Sequence, residues 1–279
     1  MPSDSEPEKT EAYTRLPAVA GQFYAGEPET LQREVNAFLD PAAERLRALA
    51  CMVPHAGYVY SGHVAGAVYS RLEPVKGVLI VGPNHRGYGE PLATTLSGAW
   101  RTPLGDAGVD ESLAHELIRL FPLIKEDELA HRHEHSIEVQ LPFLQRITSG
   151  FAFAPICVGT ANLEVVIDLG EAIAQAVQNV GERVLIVSSS DMNHYESDAV
   201  TRIKDSHAIA PILALDPVAL YEAVMRERIS MCGFAPTVAM LTACKRLDAT
   251  HAELVKYATS GDINGDRSHV VGYAGIVIS

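Results

Sequence analysis

Short runs of consecutive apolar residues alternate along the chain with longer segments in which apolar positions recur every three or four residues. The runs LACMV (49–53), GVLIVG (77–82), FAFAPICV (151–158) and RVLIVSSS (183–190) predict strands. Strands that are apolar at every position are buried on both faces, as in parallel sheets covered by helices. The pattern therefore predicts an α/β fold, a three-layer sandwich with a mainly parallel central sheet.

Helical periodicity follows most of these runs. ESLAHELIRLF (111–121) has an apolar stripe on one face, and LEVVIDLGEAIAQAVQNV (163–180) predicts a longer helix. EHSIEVQLPFLQRI (134–147) also predicts a helix, which Pro142 should kink or shorten because proline has no N–H to donate. Alternating strands and helices of this kind support the parallel sheet.

Length and composition are compatible with one domain. The chain has 279 residues, of which 47% are hydrophobic, enough for a single large core. Residues 1–15 (MPSDSEPEKTEAYTR) are acidic and polar, which predicts a disordered tail before a single α/β domain at 16–279. The same residues resemble neither a signal peptide nor a transit peptide, and no apolar run approaches the roughly 20 residues of a membrane span.

The net charge and the spacing of the cysteines limit the partners and the cellular compartment to be expected. The net charge of −13 argues against nucleic acid or a membrane surface as partner, because both are bound through Lys and Arg. The four cysteines lie far apart, without CxxC pairs, which is typical of a reducing compartment. No P-loop or GxGxxG follows a strand, and no GxSxG elbow is present. We therefore expect a cytoplasmic protein that binds neither nucleotides nor nucleic acid.

Histidines follow three of the predicted strands. VPHAG places His55 after the first strand, GPNHRG places His85 after the second, and SSSDMNHY places Asp191 and His194 after a third. Ligands of parallel sheets bind beyond the carboxyl ends of the strands. We therefore expect these side chains to converge on one pocket.

Imidazole, carboxylate and thiolate are ligands of divalent transition metals. Cys232, in the turn SMCGFAP before a predicted helix, is a candidate fourth contributor beside the three strand ends, because a helix N-terminus stabilises a thiolate. Two alternatives stay open at this point: Asp191 can cap a turn, and Cys232 can be a small buried hydrophobic residue. If the metal site is real, the ligating atoms should lie within roughly 4 Å of one another.

The remaining polar residues receive supporting roles. Asp191 and His194 are three residues apart, so one helical turn would bring them together, and a carboxylate beside an imidazole favours its action as a base. We therefore predict that His194 and Asp191 are catalytic, and the alternative is that His194 is a further metal ligand. His131 and His133 are predicted to be solvent-facing or loop residues without a catalytic role, and His135 is predicted to line the pocket behind the metal ligands.

Six ordered motifs resemble the Memo family (mediator of ErbB2-driven cell motility) in its prokaryotic form. They are GQFYAG, PHAGYVYSG, GPNHRG, EHSIEVQLPFLQ, SSSDMNHY and MCGFAPTVAML, and the match runs from about Leu16 to the last strand. The resemblance implies a fold similar to the class III, LigB-type extradiol dioxygenases. In those relatives two histidines and a glutamate bind non-haem iron, and a further histidine is the general base.

Residue by residue, the resemblance makes His55 and His85 the ligating histidines and His194 the base. Cys232 stands where the glutamate ligand would be, as in Memo proteins. A site with two histidines and a cysteine is softer than one with a carboxylate, so copper or zinc are expected besides iron. The resemblance thus implies a metal-dependent, dioxygenase-like oxidoreductase.

The alternative is a non-catalytic module that uses the same pocket to hold a peptide or a partner protein. Animal members of the family bind phosphotyrosine peptides in this pocket. Prokaryotic members resemble partners of AMMECR1-type and radical-SAM proteins. A small-molecule or peptide ligand is therefore expected under either interpretation.

Overall fold

A computed structural model describes residues 13–279 of the chain. The strands are β1 (Thr14–Arg15), β2 (Ala50–Val53), β3 (Gly77–Pro83), β4 (Leu92–Thr94), β5 (Ala99–Thr102), β6 (Gly105–Val109), β7 (Lys125–Glu126), β8 (Ala152–Val158), β9 (Val184–Ser189), β10 (His194–Glu196), β11 (Ala252–Thr259) and β12 (Val270–Ile278). The helices are α1 (Pro28–Phe38), α2 (Tyr58–Ser70), α3 (Glu111–Leu120), α4 (Glu128–Arg132), α5 (Leu141–Ile147), α6 (Leu163–Val180), α7 (Asp198–Leu213), α8 (Pro217–Glu227), α9 (Phe234–Arg246) and α10 (Gly261–Asn264). None of the helices within residues 13–279 combines the length and the apolar character of a membrane span.

The centre of the sheet is parallel, as predicted. Strands β6, β8, β3, β9 and β2 are consecutive neighbours and run in the same direction. Antiparallel pairs lie toward the edges, where β5 joins β6 and β12 joins β2, β10 and β11. Every residue of β3 is buried, which is the two-sided burial expected of a central parallel strand.

Helices cover both faces of the sheet and complete the three-layer sandwich. Helices α6 and α9 pack together, with α3 and α8 beside them and α7 against α8, whereas α1, α2 and α5 form a second group. Strand β12 separates the two groups. A side chain at Gly272 would collide with Asp205 of α7, and one at Gly275 would collide with Val68 of α2. Because these two glycines are three positions apart, they face opposite sides of the strand.

Pro142 shortens the helix predicted for 134–147. The segment is a loop followed by a 3₁₀ turn at Glu138–Gln140, and α5 begins only at Leu141. Proline is favoured in the first turn of a helix, where its missing N–H has no intrahelical partner to lose. The residues before it are thereby free to form a loop beside the ends of the strands.

The tail predicted for residues 1–15 lies largely outside the described residues, which begin at 13. Thr14 and Arg15 form β1, which pairs with Ala99 and Trp100 of β5. Arg15 is only 2% exposed. The ordered domain therefore begins before residue 16.

A buried ion pair attaches this N-terminal segment to the loop before α5. Arg15 Nη1 lies 2.7 Å from Glu138 Oε2, and both side chains are almost completely inaccessible to solvent. Glu138 also accepts hydrogen bonds from the backbone N–H groups of Ala18 and Val19 and from the hydroxyl of Tyr24. These bonds meet the condition under which an ionised carboxylate can be buried.

The Arg15 guanidinium also binds the backbone of the segment that precedes Glu138. Its nitrogens donate to the carbonyl oxygens of His131 and Glu134, at 2.8 and 2.6 Å. The guanidinium carbon lies 4.2 Å from the centre of the Trp100 ring, a cation–π contact. Arg15 thus positions the backbone on both sides of residues 132 and 133.

We predict that Glu138→Gln lowers the free energy of unfolding by about 3–5 kcal/mol, because it leaves the Arg15 charge buried without its partner. The measurement is equilibrium unfolding in urea. Asp106→Asn is the matched control, since it breaks an ion pair with Arg101 in which both side chains are well exposed and should change stability little. Equal losses in the two variants would contradict the role of the buried pair.

Candidate metal centre

Three histidine side chains meet at the carboxyl ends of the parallel strands. One ring nitrogen from each of His55, His85 and His135 lies within 4.8 Å of the other two. The ring centroids are 5.0 Å apart for His55 and His85, 5.4 Å for His55 and His135, and 4.7 Å for His85 and His135. Three convergent imidazoles are a donor set that suits divalent transition metals.

Local sequence places two of these histidines at neighbouring strand ends. Strands β2 and β3 both pair with β9, so the residues that follow them emerge at the same edge of the sheet. Pro54 ends β2 directly before His55. Asn84 turns the chain after β3, because its side-chain oxygen accepts hydrogen bonds from the backbone N–H groups of residues 86 and 87.

Glu134 orients His85. Its carboxylate accepts hydrogen bonds from the backbone N–H of His85 at 2.7 Å and from Nδ1 of the ring at 2.8 Å. Burial by itself raises the pKa of Glu134, but the contacts with His85, the nearby His135 ring and the Ser136 N–H lower it to about 2. The carboxylate is therefore ionised and holds a proton on Nδ1. This leaves Nε2 of His85 free to bind a metal ion.

A second network sets the tautomer of His55. Gln140 donates from its amide nitrogen to the Pro54 carbonyl and to Ser189 Oγ, and Ser189 donates its own proton to the Ser136 carbonyl. Ser189 Oγ, 2.9 Å from Nδ1 of His55, must then accept a hydrogen bond from the ring N–H. Nε2 of His55 is therefore unprotonated as well.

His135 is the least constrained of the three. Its Nδ1 lies 3.4 Å from Glu134 Oε1 and is buried without a hydrogen-bond partner among the described residues. Its ring packs against Phe23 at a centroid distance of 4.7 Å. Burial lowers the pKa of His135 to about 4, and burial lowers the pKa of His55 well below its ordinary value. Both rings are therefore neutral near pH 7, as metal ligands must be.

Cys232 lies beside this cluster but is not one of its three mutually close members. Its Sγ is 3.1 Å from Nε2 of His55 and 3.6 Å from the carbonyl of Asp191. Burial, followed by the nearby Asp191 charge, raises the pKa of the Cys232 thiol well above its usual value. The residue predicted as the third ligand thus contacts His55, whereas His135, predicted to stand behind the ligands, joins His55 and His85 within 4.8 Å.

Asp191 and His194 lie near the centre but do not pair as predicted. Asp191 accepts hydrogen bonds from the backbone N–H groups of His55 and Ala56. Nδ1 of His194 faces the Ser230 carbonyl at 2.8 Å. Residues 190–193 form no helical turn, because they are bonded to β12 instead. The N–H of Met192 donates to the carbonyl of Gly272, and the N–H of Gly272 donates to the carbonyl of Asn193. Asp191 therefore supports the His55 backbone, and another group orients His194.

The two remaining histidines of the HRHEH segment differ from each other. His133 is exposed, as predicted. His131 is fully buried in α4 and packs edge-on against Trp100, so the prediction that it faces solvent or lies in a loop is wrong. The short α4, capped by Asp127, turns His131 toward the core. Two sequence signals mark Glu134 and His135: a glutamate flanked by histidines, and the start of the motif EHSIEVQLPFLQ. Neither signal shows that His135 joins His55 and His85.

Comparison with known proteins yields relatives over almost the whole chain. A family model described as "Memo-like protein" matches residues 15–277. A MEMO1 family protein of Methanosarcina barkeri is 45% identical over 266 residues, which cover 95% of this chain and 99% of that protein. One from Archaeoglobus fulgidus is 43% identical over 263 residues, which cover 94% of this chain and 98% of that protein.

One solved structure, an uncharacterized protein from Escherichia coli K12, has the same fold. It superimposes with a TM-score of 0.57 at 12% sequence identity, over 83% of this chain and 100% of its own. At this identity the likeness concerns the architecture of the sheet and its helices alone.

We predict that His131→Phe makes the free energy of unfolding depend less steeply on pH under acidic conditions. Burial and the nearby Arg15 charge lower the pKa of His131 to about 3, whereas an unfolded histidine titrates near roughly 6.5. Between these values the unfolded chain binds one more proton, so stability falls as the pH falls, by at most about 1.4 kcal/mol per pH unit for this group.

The measurement is the free energy of urea unfolding at several pH values between those two pKa values. The slope should be smaller in His131→Phe than in the unmodified protein, whatever the change in absolute stability. His133→Gln removes an exposed imidazole and should leave the slope unchanged. An unaltered slope in His131→Phe would show that the buried ring does not contribute to acid unfolding.

Proposed function

This chain belongs to the Memo-like family, and on that premise we propose that it is a metal-dependent oxidoreductase whose ion is bound by His55, His85 and His135. One observation carries the proposal: three imidazoles converge, and the hydrogen bonds at Nδ1 of His55 and His85 place the free nitrogen of each neutral ring at Nε2. Metal binding requires neutral imidazoles with a free nitrogen lone pair. Cys232, in contact with His55, is the further donor within reach.

The donor set decides which ions suit the site. Imidazole nitrogens with an adjacent thiol favour iron, copper and zinc over calcium or magnesium, and iron is the ion expected from the family. Such an ion would supply Lewis acidity and, for iron or copper, one-electron redox chemistry. The protein contributes the remaining parts: Glu134 holds His85, Ser189 holds His55, and Asp191 holds the backbone that carries His55.

His194 is the proposed base. Its Nδ1 faces a carbonyl oxygen, which can only accept, so the neutral ring carries its proton there and keeps Nε2 free to take a proton from a ligand. An imidazole suits this task because its pKa lies near working pH.

A second candidate function uses the same pocket only for binding. The ring of Tyr195, beside His194 at a centroid distance of 5.5 Å, is 74% exposed, and its backbone has a φ of 62°, which is costly for a bulky residue. An exposed aromatic ring held this way favours contact with a peptide or a partner protein, with AMMECR1-type and radical-SAM proteins as the partners to test.

The deciding experiment separates metal content from turnover. We expect protein purified without chelators to contain iron or copper by mass spectrometry and to consume oxygen with catechols as probe substrates. His55→Ala should lose the metal because it removes a donor. His194→Ala should keep the metal and lose oxygen uptake, and His269→Ala, which removes an exposed imidazole, should change neither.

Three outcomes would decide against parts of this proposal. Protein that takes up no metal after reconstitution would rule out the metal centre. Metal loss in His194→Ala as large as in His55→Ala would make His194 a ligand instead of a base. Metal retention without oxygen uptake would favour the binding function.

We predict that Glu134→Gln weakens metal affinity by about 10–100-fold, because the carboxylate that holds the His85 proton on Nδ1 is removed. The measurement is zinc titration in competition with a chromophoric chelator. Glu126→Gln is the control, since Glu126 is an exposed residue of β7 and should leave affinity unchanged. Equal affinities in the two variants would mean that Glu134 does not support the site.

A further inference from the structure

We infer that Asn193 and Ser230 are positioning residues that select the tautomer of His194. The inference rests on the proposed function, because it concerns the residue proposed there as base. His194 is only partly buried, so packing alone does not determine how its ring is protonated. The hydrogen bonds around it do.

Ser230 makes three hydrogen-bond contacts with His194, of which the longest, 3.3 Å, joins Ser230 Oγ to the His194 carbonyl oxygen. The backbone N–H of His194 donates to Ser230 Oγ at 2.8 Å, and Nδ1 of the ring lies 2.8 Å from the Ser230 carbonyl oxygen. Because a carbonyl has no proton to give, Nδ1 must carry the ring proton. A neutral histidine in water favours the opposite form, with its proton on Nε2. The structure thus selects the form in which Nε2 is free to act as a base.

Asn193 holds Ser230 in place. Its side-chain oxygen accepts hydrogen bonds from the N–H and the hydroxyl of Ser230, at 3.1 and 3.0 Å. Its amide nitrogen donates to a Glu196 carboxylate oxygen at 2.8 Å and to the Thr201 hydroxyl. An ionised carboxylate only accepts, so the amide nitrogen must face Glu196 and the oxygen must face Ser230. The orientation of the Asn193 amide is therefore determined.

The backbone of Asn193 is anchored as firmly as its side chain. Its N–H donates to Asp205 Oδ1 at 2.8 Å, and the other Asp205 oxygen accepts the Tyr257 hydroxyl at 2.6 Å. Its carbonyl accepts the N–H of Gly272 in β12. Asn193 itself is fully buried. Asn193 therefore fixes Ser230 relative to α7 and β12.

The same segment also leads to the metal centre. Ser230 stands two residues before Cys232, whose thiol contacts His55. A shift of Ser230 would therefore act directly on the ring of His194, and only indirectly, through Cys232, on His55. This order allows a positioning role to be distinguished from a general loss of structure.

The test reads the tautomer directly. Full-length chelator-treated protein labelled with ¹⁵N in histidine rings would be measured by long-range ¹H–¹⁵N NMR, at a pH at which its His194 is neutral. The His194 signals are identified by their absence in His194→Ala. In the unmodified protein we expect Nδ1 to be protonated and Nε2 to be bare.

Two variants break the arrangement at different points. Asn193→Ala removes the acceptor of both Ser230 bonds. Ser230→Ala keeps the carbonyl opposite Nδ1 but removes the hydroxyl that fastens Ser230 to the His194 backbone N–H. Each variant therefore releases the residue-230 carbonyl from its position opposite Nδ1. In each, we expect the form with the proton on Nε2 to change from the minor to the major neutral species. If Asn193→Ala fails to fold, Ser230→Ala, at an exposed position, decides.

Thr201→Val is the matched control. It removes the hydroxyl that accepts from Asn193 Nδ2 but leaves the Asn193 oxygen on Ser230, so the tautomer should stay as in the unmodified protein. Oxygen uptake should fall in Ser230→Ala at unchanged metal content, and it should persist in Thr201→Val.

Three results would overturn the inference: a proton on Nε2 in the unmodified protein, an unchanged tautomer in the Ser230 variant, or an equal change in the Thr201 variant. Because the NMR measurement needs neither metal nor substrate, failure of the proposed oxidoreductase activity leaves its result intact. The two hypotheses can therefore fail separately.

Discussion

The ion pair between Arg15 and Glu138 determines where the loop at the ends of the strands can lie. Both charges are removed from water, and each is stable there only because every neighbouring group is a suitable donor or acceptor. Arg15 holds two carbonyls of the loop, while Glu138 holds the N-terminal segment. The loop between these contacts contains Glu134 and His135. A residue 119 positions earlier in the chain thus locates the carboxylate that orients His85.

Two carboxyl groups behind the histidines have opposite environments. Hydrogen bonds and nearby imidazoles outweigh burial at Glu134 and keep its pKa low. At Asp191 burial is the dominant cause, and its pKa is raised. Glu134 is therefore ionised at neutral pH. Its negative charge, next to the imidazoles, would balance part of the charge of a bound cation. Asp191, with two backbone N–H groups on one oxygen, serves mainly to hold the turn at His55.

Several features of the site could be predicted because they depend on strand ends. His55 and His85 converge because parallel neighbours of β9 end at one edge, and the apolar runs already indicate those strands. The proximity of Cys232 to His55 was also predictable from the turn before α9. The predicted pairing of Asp191 with His194 does not occur, because it assumed a helical turn where β12 holds the backbone instead. The burial of His131 was not predicted, because the sequence of a segment rich in polar residues does not show which of its side chains is buried in the core.

Sequence alone determined the α/β fold, the strand-end histidines and, through six ordered motifs, the family. These depend on local periodicity and on residue identity, both of which can be read along the chain. Only the tertiary structure placed His135 with His55 and His85 and decided which nitrogen of each oriented ring is free. The acceptors responsible lie far away in sequence: Ser189 is 134 residues from His55, Glu134 is 49 from His85, and Ser230 is 36 from His194. A tautomer depends on whether the group opposite the ring donates or accepts, and no local pattern records which distant group that is.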